Sequence, residues 1–269
     1  MVIISGDAPR VRTAQAADWA LSRGVASLTT AELGDLLAAP VSQVPQRMAS
    51  PKRRGEWVTP GRGLWVPVPP EFRGWGGPPA SEIIAALMSH LRADYYIGWL
   101  AAAAAHGAAH QAPQVTHVAV SRLVRDRQVG RAVLRFHSRE NMHALPVTKK
   151  MGRSGSYVVS TPEVTALDLA SNISLSGGLD NAATVIADLV DEVGLDDEIL
   201  AGLAHLFSDA AVRRVGWIVE RFTAQRLDVM AAYVENRPCG PARLHPAFSL
   251  TGDLDERWRL RLNTAVEVE

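Results

Sequence analysis

The stretch Leu28-Thr-Thr-Ala-Glu-Leu-Gly-Asp-Leu-Leu-Ala-Ala-Pro-Val-Ser-Gln-Val-Pro-Gln-Arg-Met-Ala-Ser50 holds the signals that decide the N-terminal fold. Thr29 and Glu32 have the spacing of a helix capping box, and an apolar residue stands directly before them. Leucines then recur on one helical face, and Pro40 ends the helix. The stretch therefore predicts a helix, a short turn and a further helix.

The second of these helices contains two prolines. Ser42 can cap its start, and Pro45 falls in the first turn, where a missing N–H is harmless. Pro51 removes a hydrogen bond to the carbonyl group four residues earlier, so we expect the helix to end near Ser50. Residues 52–54 would then lie on a turn.

More secondary structure is predicted on both sides of this stretch. Residues 13–22 are rich in alanine and predict a preceding helix. Two short segments, 56–59 and 64–66, flank the turn Pro60-Gly-Arg-Gly63 and predict a hairpin. Two helices, a turn, a third helix and a two-stranded hairpin, in this order, are typical of a winged helix-turn-helix, which binds DNA.

The third helix and the hairpin carry the side chains that DNA recognition requires. Glutamine and arginine can pair with adenine and guanine in the major groove, and cations can bind phosphates. We predict that the third helix reads bases, that the basic cluster after it contacts phosphates, and that the hairpin tip reaches a minor groove. The candidate DNA-binding residues are Ser42, Gln43, Gln46, Arg47, Ser50, Lys52, Arg53, Arg54 and Arg62. The alternative is a small α+β lobe whose charges only face water.

The charge distribution is uneven, although the formal net charge is zero. Residues 113–153 contain nine Lys or Arg and two acidic residues, whereas residues 154–212 contain ten acidic residues and no Lys or Arg. A neutral chain can therefore present a basic face to an anion. The basic region 122–153 is either a solvated sheet edge or a surface that touches flanking DNA or an acidic partner, and the sequence leaves both open.

The run of residues 67–79 contains five prolines and three glycines, which neither a helix nor a central strand tolerates. We interpret it as a linker between a winged helix-turn-helix domain, residues 1–70, and a larger mixed α/β domain, residues 79–269. The second domain combines amphipathic helices with strand-like segments such as 115–120 and 132–136, which we expect to pair. The expected fold class is α+β.

Composition predicts a globular protein without a membrane-spanning helix or a disulfide framework. Apolar residues make up 47% and charged residues 21% of the chain, as in ordinary globular proteins. The longest apolar stretch, residues 95–105, is about half as long as a membrane-spanning helix, and the N-terminal residues lack the pattern of a secretory leader. The single cysteine, Cys239, excludes an intrachain disulfide framework and is interpreted as a loop residue. These features predict a cytoplasmic protein with no membrane partner.

Two other groups of residues could form a metal site or a catalytic site. His106 and His110 are four residues apart, as metal ligands on one helix would be, but Gly107 interrupts the helix and no acidic residue is near in sequence. The acidic residues of Ala265–Glu269 could belong to a nuclease, but no lysine accompanies them. We therefore predict no metal site, no cofactor and no catalytic residue.

Several segments resemble the signature of the AbiEi-type antitoxins. The longest is Asp94-Tyr-Tyr-Ile-Gly-Trp-Leu-Ala-Ala-Ala-Ala-Ala-His-Gly-Ala-Ala-His-Gln-Ala-Pro113, which is followed by Val118-Ala-Val-Ser-Arg122. The others are Val159-Ser-Thr-Pro-Glu-Val-Thr-Ala-Leu-Asp-Leu169, Gly177-Gly-Leu-Asp-Asn-Ala-Ala-Thr-Val185 and Arg213-Arg-Val-Gly-Trp217. Most of these residues are apolar or small, so the resemblance concerns the fold more than the chemistry.

The resemblance implies an antitoxin that is paired with a nucleotidyltransferase-like toxin encoded beside it. Antitoxins of this family bind inverted repeats in their own promoter through the N-terminal winged helix and repress the operon. The C-terminal domain is associated with toxin neutralisation and with cooperative DNA binding by two copies. Many of these pairs are of type IV, in which the antitoxin opposes the toxin without a stable complex. The resemblance implies no enzymatic activity.

Two other functions remain as alternatives. One is a free-standing transcriptional regulator whose C-terminal domain senses a small molecule, which a large closed apolar pocket would favour. The other is a nuclease-like enzyme guided by the winged helix, which three or more converging carboxylates would favour.

Overall fold

The computed structural model describes residues 10–109, 113–237 and 240–268 and shows a mixed α+β fold. Three residues singled out above lie outside this described part: His110, Cys239 and Glu269. Among the described residues, no helix is both long enough and apolar enough to cross a bilayer.

The chain forms two compact units, and each is assembled from segments that are distant in sequence. The first unit contains the residues up to Tyr95 together with Gln114–Ser138 and Lys149–Val158. The second unit contains the remaining segments, including all residues from Val159 onward.

The N-terminal part of the first unit combines short helices with three short strands. Its elements are α1 (Ala16–Ser22), β1 (Leu28–Thr29), α2 (Thr30–Leu36), α3 (Val44–Arg47), α4 (Ala49–Arg53), β2 (Trp57–Gly61) and β3 (Leu64–Pro67). The strands form an antiparallel sheet in the order β1-β3-β2. Apolar side chains from these elements, among them Leu33, Leu36, Met48 and Trp57, are buried together in one core. The predicted helices and hairpin are thus present, and β1 is an additional strand.

The predicted capping box fixes the start of α2. The Thr29 hydroxyl accepts a hydrogen bond from the Glu32 backbone N–H at 3.2 Å, and the Glu32 carboxylate accepts one from the Thr29 backbone N–H at 2.6 Å. Two N–H groups at the helix start, which have no partner within the helix, are satisfied in this way. The capping box is therefore confirmed.

The prediction that Pro51 ends the third helix near Ser50 is wrong. The helical segment is divided into α3 and α4, and α4 continues through Pro51 to Arg53. Pro51 lies in the first turn of α4, where a backbone N–H has no partner within the helix, so the missing donor has little cost. Lys52 and Arg53 therefore lie on a helix rather than on a turn, and Arg54 is its C-terminal cap.

The middle of the chain supplies a further set of strands. The elements in chain order are α5 (Pro70–Arg73), α6 (Ala80–Leu91), β4 (Tyr95–Ile97), α7 (Trp99–Ala105), β5 (Val115–Val120), β6 (Arg127–Val129), β7 (Ala132–Ser138), β8 (Val147–Gly152) and β9 (Gly155–Ser160). Within the first unit, β5 pairs in parallel with β7, and β6 pairs antiparallel with β7. The predicted pairing of the strands at 115–120 and 132–136 is confirmed. Within the second unit, Ile97 of β4 pairs in parallel with Val159 of β9.

The run of residues 67–79 was predicted from its composition to be an extended linker without a helix, and the structure shows that it contains the short helix α5. It lies inside the first unit, where the Arg131 backbone N–H donates a hydrogen bond to the Trp75 carbonyl at 3.0 Å. A Cβ atom at Gly130, which has a φ of +58°, would lie 2.5 Å from the Gly76 carbonyl carbon. Because Gly76 and Gly130 have no Cβ atom, two backbone segments can approach closely, and this is a contact that composition cannot reveal.

The second unit is mainly helical after β9. Its elements are α8 (Pro162–Ser171), α9 (Leu179–Val193), α10 (Asp197–Leu203), α11 (Asp209–Phe222), α12 (Asp228–Glu235), β10 (Ala242–Arg243), β11 (Asp253–Asp255) and β12 (Leu260–Leu262), with the strands in the order β10-β12-β11. The side chains of Thr161 and Ser208 cap the N-termini of α8 and α11. Every residue of α8 from Glu163 to Ala170 is buried, so this helix is the centre of the unit.

Candidate nucleic-acid interface

A groove of about 1150 Å³ in the first unit is bordered by α3, α4 and the β2–β3 hairpin. Its cationic lining residues are Lys52, Arg53, Arg62 and Arg127, and no acidic side chain of the described residues lines it. Neutral lining comes mainly from small and apolar side chains. A groove with this lining attracts an anion, because no acidic lining side chain in the described part of the chain offsets the positive charge.

All nine side chains predicted to bind DNA are exposed. Lys52, Arg53 and Arg62 line the groove. The other six are not among its lining residues: Ser42, Gln43, Gln46, Arg47, Ser50 and Arg54. The structure thus brings three of the predicted residues together in one concave surface, while the rest lie on the exposed surface of the same short helices and their flanking turns.

Two of the arginines are held by neighbours on the same segment. The Arg54 guanidinium donates to the Glu56 carboxylate at 2.7 Å and to the Ser50 hydroxyl at 2.8 Å. The hydrogen bond that Arg54 donates to the Glu56 carboxylate raises the pKa of Arg54 above its usual value. The Arg47 guanidinium donates to the Gln43 side-chain oxygen at 3.2 Å, one helical turn earlier. Arg47 can exchange this exposed contact for a base, whereas Arg54 has a charged partner.

The cationic side chains of the groove also differ in whether a neighbouring group already binds them. The Lys52 ammonium group donates to the Thr59 hydroxyl at 2.8 Å and so connects α4 with β2. Arg53 and Arg62 have no hydrogen-bond or ion-pair partner for their guanidinium groups among the residues that the structure describes. Arg62 is at the hairpin tip, where Gly63 has a φ of +79° that glycine adopts without strain. These two arginines are the side chains most available to phosphates.

Arg127 is a groove residue that the DNA-binding prediction missed. Its guanidinium donates to the carbonyl groups of Pro60 at 3.1 Å, Arg125 at 2.8 Å and Asp126 at 3.1 Å. It lies 67 positions after its hairpin partner Pro60, so no local spacing connects the two. The only sequence signal was the excess of basic residues in the region 122–153, which did not single out this arginine.

A buried polar cluster in the second unit explains one family-like motif. Asp168, on α8, accepts hydrogen bonds from the Tyr96 hydroxyl at 3.0 Å and from the Arg139 guanidinium. Burial raises the pKa of the Asp168 carboxyl group, and the Arg139 charge opposes this shift. Burial also raises the pKa of Tyr96, which keeps its hydroxyl group a donor. The motif's carboxylate thus belongs to an interior ion pair, whose disruption would leave a buried charge without compensation.

The other candidate groups show no convergent arrangement. His106 follows the last residue of α7, as predicted from Gly107, and a ring nitrogen lies 2.7 Å from the Ser160 carbonyl oxygen. His110, its proposed partner, and Glu269 are outside the described residues. Within the described ranges, no three His, Cys, Asp or Glu side chains are grouped so that they could hold a metal ion.

These observations describe a mixed α+β protein with an exposed cationic groove in one unit and a helical second unit built around α8. Residues 96–221 match the family model described as the AbiEi antitoxin C-terminal domain. This match supports an AbiEi family antitoxin, the family that the sequence motifs resemble. This family is regulatory and non-enzymatic, and its members act with a toxin in toxin–antitoxin systems.

The fold is also found in a solved structure. The crystal structure of the RV2827C protein from Mycobacterium tuberculosis superposes with a TM-score of 0.65 over 95% of this chain and 94% of that chain, at 15% sequence identity. At this identity the likeness concerns the fold alone. No curated protein matches the sequence.

Proposed function

We propose that this antitoxin binds inverted repeats in the promoter of its own operon through a winged helix-turn-helix and represses transcription. The observation that supports this most is the groove between α4 and the β2–β3 hairpin, which has four cationic and no acidic lining side chains among the described residues. We assign DNA binding to residues up to 70 and neutralisation of a nucleotidyltransferase-like toxin to residues 79–269. The protein would act in the cytoplasm, where promoter and toxin are both present.

The exposed side chains suggest a division of labour on DNA. Gln46 and Arg47 on α3 are of the types that pair with adenine and guanine in the major groove. Lys52 and Arg53 on α4 would bind phosphates, and Arg62 at the hairpin tip would enter the neighbouring minor groove. Two copies would bind the two halves of an inverted repeat cooperatively, because one winged helix reads only one half-site.

The salt dependence of DNA binding tests this interface. The double variant Arg53→Ala/Arg62→Ala should bind the promoter duplex more weakly, and its slope of log affinity against log salt should be smaller by about 1.8, or 0.9 for each phosphate charge that a lost arginine no longer neutralises. Arg221→Ala/Arg226→Ala, in the second unit, is a control with the same loss of charge. A slope equal to that of the wild type in the first variant would show that the groove does not contact DNA.

Toxin neutralisation requires a separate measurement. The full chain would be expressed with the neighbouring toxin, and the toxin would be transcribed from a promoter that the antitoxin cannot repress. We expect growth to be rescued by the wild type and equally by Arg53→Ala/Arg62→Ala, because neutralisation is assigned to the other part of the chain. DNA binding without any rescue by the wild type would instead favour a free-standing regulator.

A further inference from the structure

The segment of residues 121–131, which we name the arginine segment, lies beside the proposed DNA-binding hairpin in the first unit. Arg127 joins the two, because its guanidinium binds one carbonyl of the hairpin strand β2, that of Pro60, and two carbonyls of its own segment. The same side chain lines the groove with Lys52, Arg53 and Arg62. The positive surface therefore continues from the hairpin to a part of the chain that the winged helix does not include.

The arginine segment is held in place by a sheet and by a backbone contact. Within it, β6 pairs antiparallel with β7, with Arg127 opposite Leu134. At its end, Gly130 packs against the backbone of Gly76. These restraints mean that little conformational entropy is lost when the segment meets a ligand.

The charges of the segment are available to a ligand. Arg122 and Arg125 are exposed, and their guanidinium groups have no hydrogen-bond or ion-pair partner among the described residues. The segment contains one acidic residue, Asp126. Its carboxylate already accepts hydrogen bonds from the Arg135 guanidinium at 2.9 Å and from the Phe136 backbone N–H at 3.0 Å. The carboxylate that could repel an anion is therefore largely neutralised.

We infer that the arginine segment is a second DNA-contacting element, in which Arg122 and Arg125 bind backbone phosphates beyond the winged-helix footprint and Arg127 is a positioning residue. This inference rests on the proposed DNA binding. Duplex DNA is the ligand that the geometry favours over an acidic protein, because it is a continuous polyanion that can extend from the groove along the same positive surface. Such contacts carry no sequence information and add affinity through charge.

Duplex length provides the test. The wild-type chain would be titrated with a duplex that contains the inverted repeat only, and with one extended by about ten base pairs, one helical turn, at each end. We expect the wild type to bind the long duplex more tightly and Arg122→Ala/Arg125→Ala to lose this preference. Between 50 and 200 mM salt, the affinity of the double variant for the long duplex should fall about tenfold less than that of the wild type, since two contacts are lost. Arg221→Ala/Arg226→Ala is again the control for charge.

The outcomes separate this inference from the proposed function. If Arg53→Ala/Arg62→Ala weakens binding but Arg122→Ala/Arg125→Ala keeps both the length preference and the salt slope of the wild type, only the inference fails. If the double variant in the arginine segment keeps its DNA binding and loses toxin rescue, the segment contacts an acidic protein surface instead. A wild-type chain that binds neither duplex would overturn both proposals.

Conservative replacement tests the role of Arg127. Arg127→Lys keeps the charge but cannot donate to three carbonyl groups in the geometry of a guanidinium. We expect Arg127→Lys and Arg127→Ala to lose the preference for the long duplex alike, with melting temperatures recorded to confirm that both variants are folded. If Arg127→Lys prefers the long duplex as strongly as the wild type does, Arg127 acts only as a cation. That result would overturn its positioning role.

Discussion

Arg47 and Arg54 are both exposed on the proposed DNA-binding surface, but their surroundings predict different roles. Arg47 contacts only the neutral Gln43, whereas Arg54 is paired with the Glu56 carboxylate. Arg47→Ala should therefore cost roughly 1–3 kcal/mol of binding to the promoter and less to random DNA, as expected for a base contact. Arg54→Ala should change either affinity little. Fluorescence anisotropy titrations with both duplexes measure this, and equal losses on both duplexes in Arg47→Ala would make Arg47 a phosphate contact.

The histidine pair of the first unit predicts a pH dependence of stability. A ring nitrogen of His117 lies 2.9 Å from one of His137, so at least one of the two nitrogens carries no proton. Burial lowers the pKa of both rings, and the neighbouring His137 lowers that of His117 further.

Because the unfolded histidines bind protons more readily, the stability from the neutral pair is complete above the unfolded pKa of about 6.5 and is lost as the pH falls through the folded values. The melting temperature of the wild type should thus fall more between pH 7.5 and pH 5 than that of His137→Gln. A steeper acid dependence in the variant would contradict this explanation.

At the scale of single elements, the first turn of α2 offers the clearest link from sequence to stability. Thr29→Ala removes the side chain that accepts the Glu32 N–H and should destabilise the chain by about 1 kcal/mol. Thr29→Ser keeps the hydroxyl group and should retain most of this stability. Urea unfolding monitored by circular dichroism compares them, and an equal loss in both variants would point to the lost methyl group instead of the cap.

The elements also show where sequence reasoning succeeds and where it stops. Caps at Thr29, Thr161 and Ser208 depend on residues three or four positions apart, so they could be recognised from the sequence. The consequence of Pro51 depends on whether the helix is continuous or restarts as α4, which the local pattern does not determine. Lys52 and Arg53 were consequently identified as basic but placed on the wrong kind of structure.

At the scale of the whole molecule, a different cause limits what can be predicted from the sequence. The cations of α4 and the hairpin could be chosen from one segment, whereas Arg127 reaches the groove only because the sheet of β5, β6 and β7 returns to the hairpin in the first unit. Contacts between distant segments leave no periodicity in the sequence. The same cause explains why the composition of residues 67–79 predicted an extended linker but did not reveal their contact with Gly130 and Arg131.

Limited proteolysis distinguishes a packed segment from an open linker at these residues. The Arg73 guanidinium donates to the Val68 carbonyl at 3.3 Å, and the Arg73 carbonyl accepts the Gly76 N–H at 3.1 Å, so trypsin should cleave after Arg73 only when the segment opens. Gly130→Ala should raise the rate of this cleavage about tenfold or more, because a left-handed conformation costs an alanine roughly 1–2 kcal/mol and its Cβ would meet Gly76.

Gly202→Ala is the matched control, because a Cβ atom there meets no atom within 4 Å. Mass spectrometry of the fragments follows the bond after Arg73 separately from cleavage at the exposed arginines of the groove. Slow cleavage in the wild type and in Gly202→Ala, with fast cleavage in Gly130→Ala, would show that the contact between Gly76 and Gly130 closes the segment. Rapid cleavage after Arg73 in all three proteins would mean that residues 67–79 behave as a linker, and that the arginine segment is not held beside the hairpin by this contact.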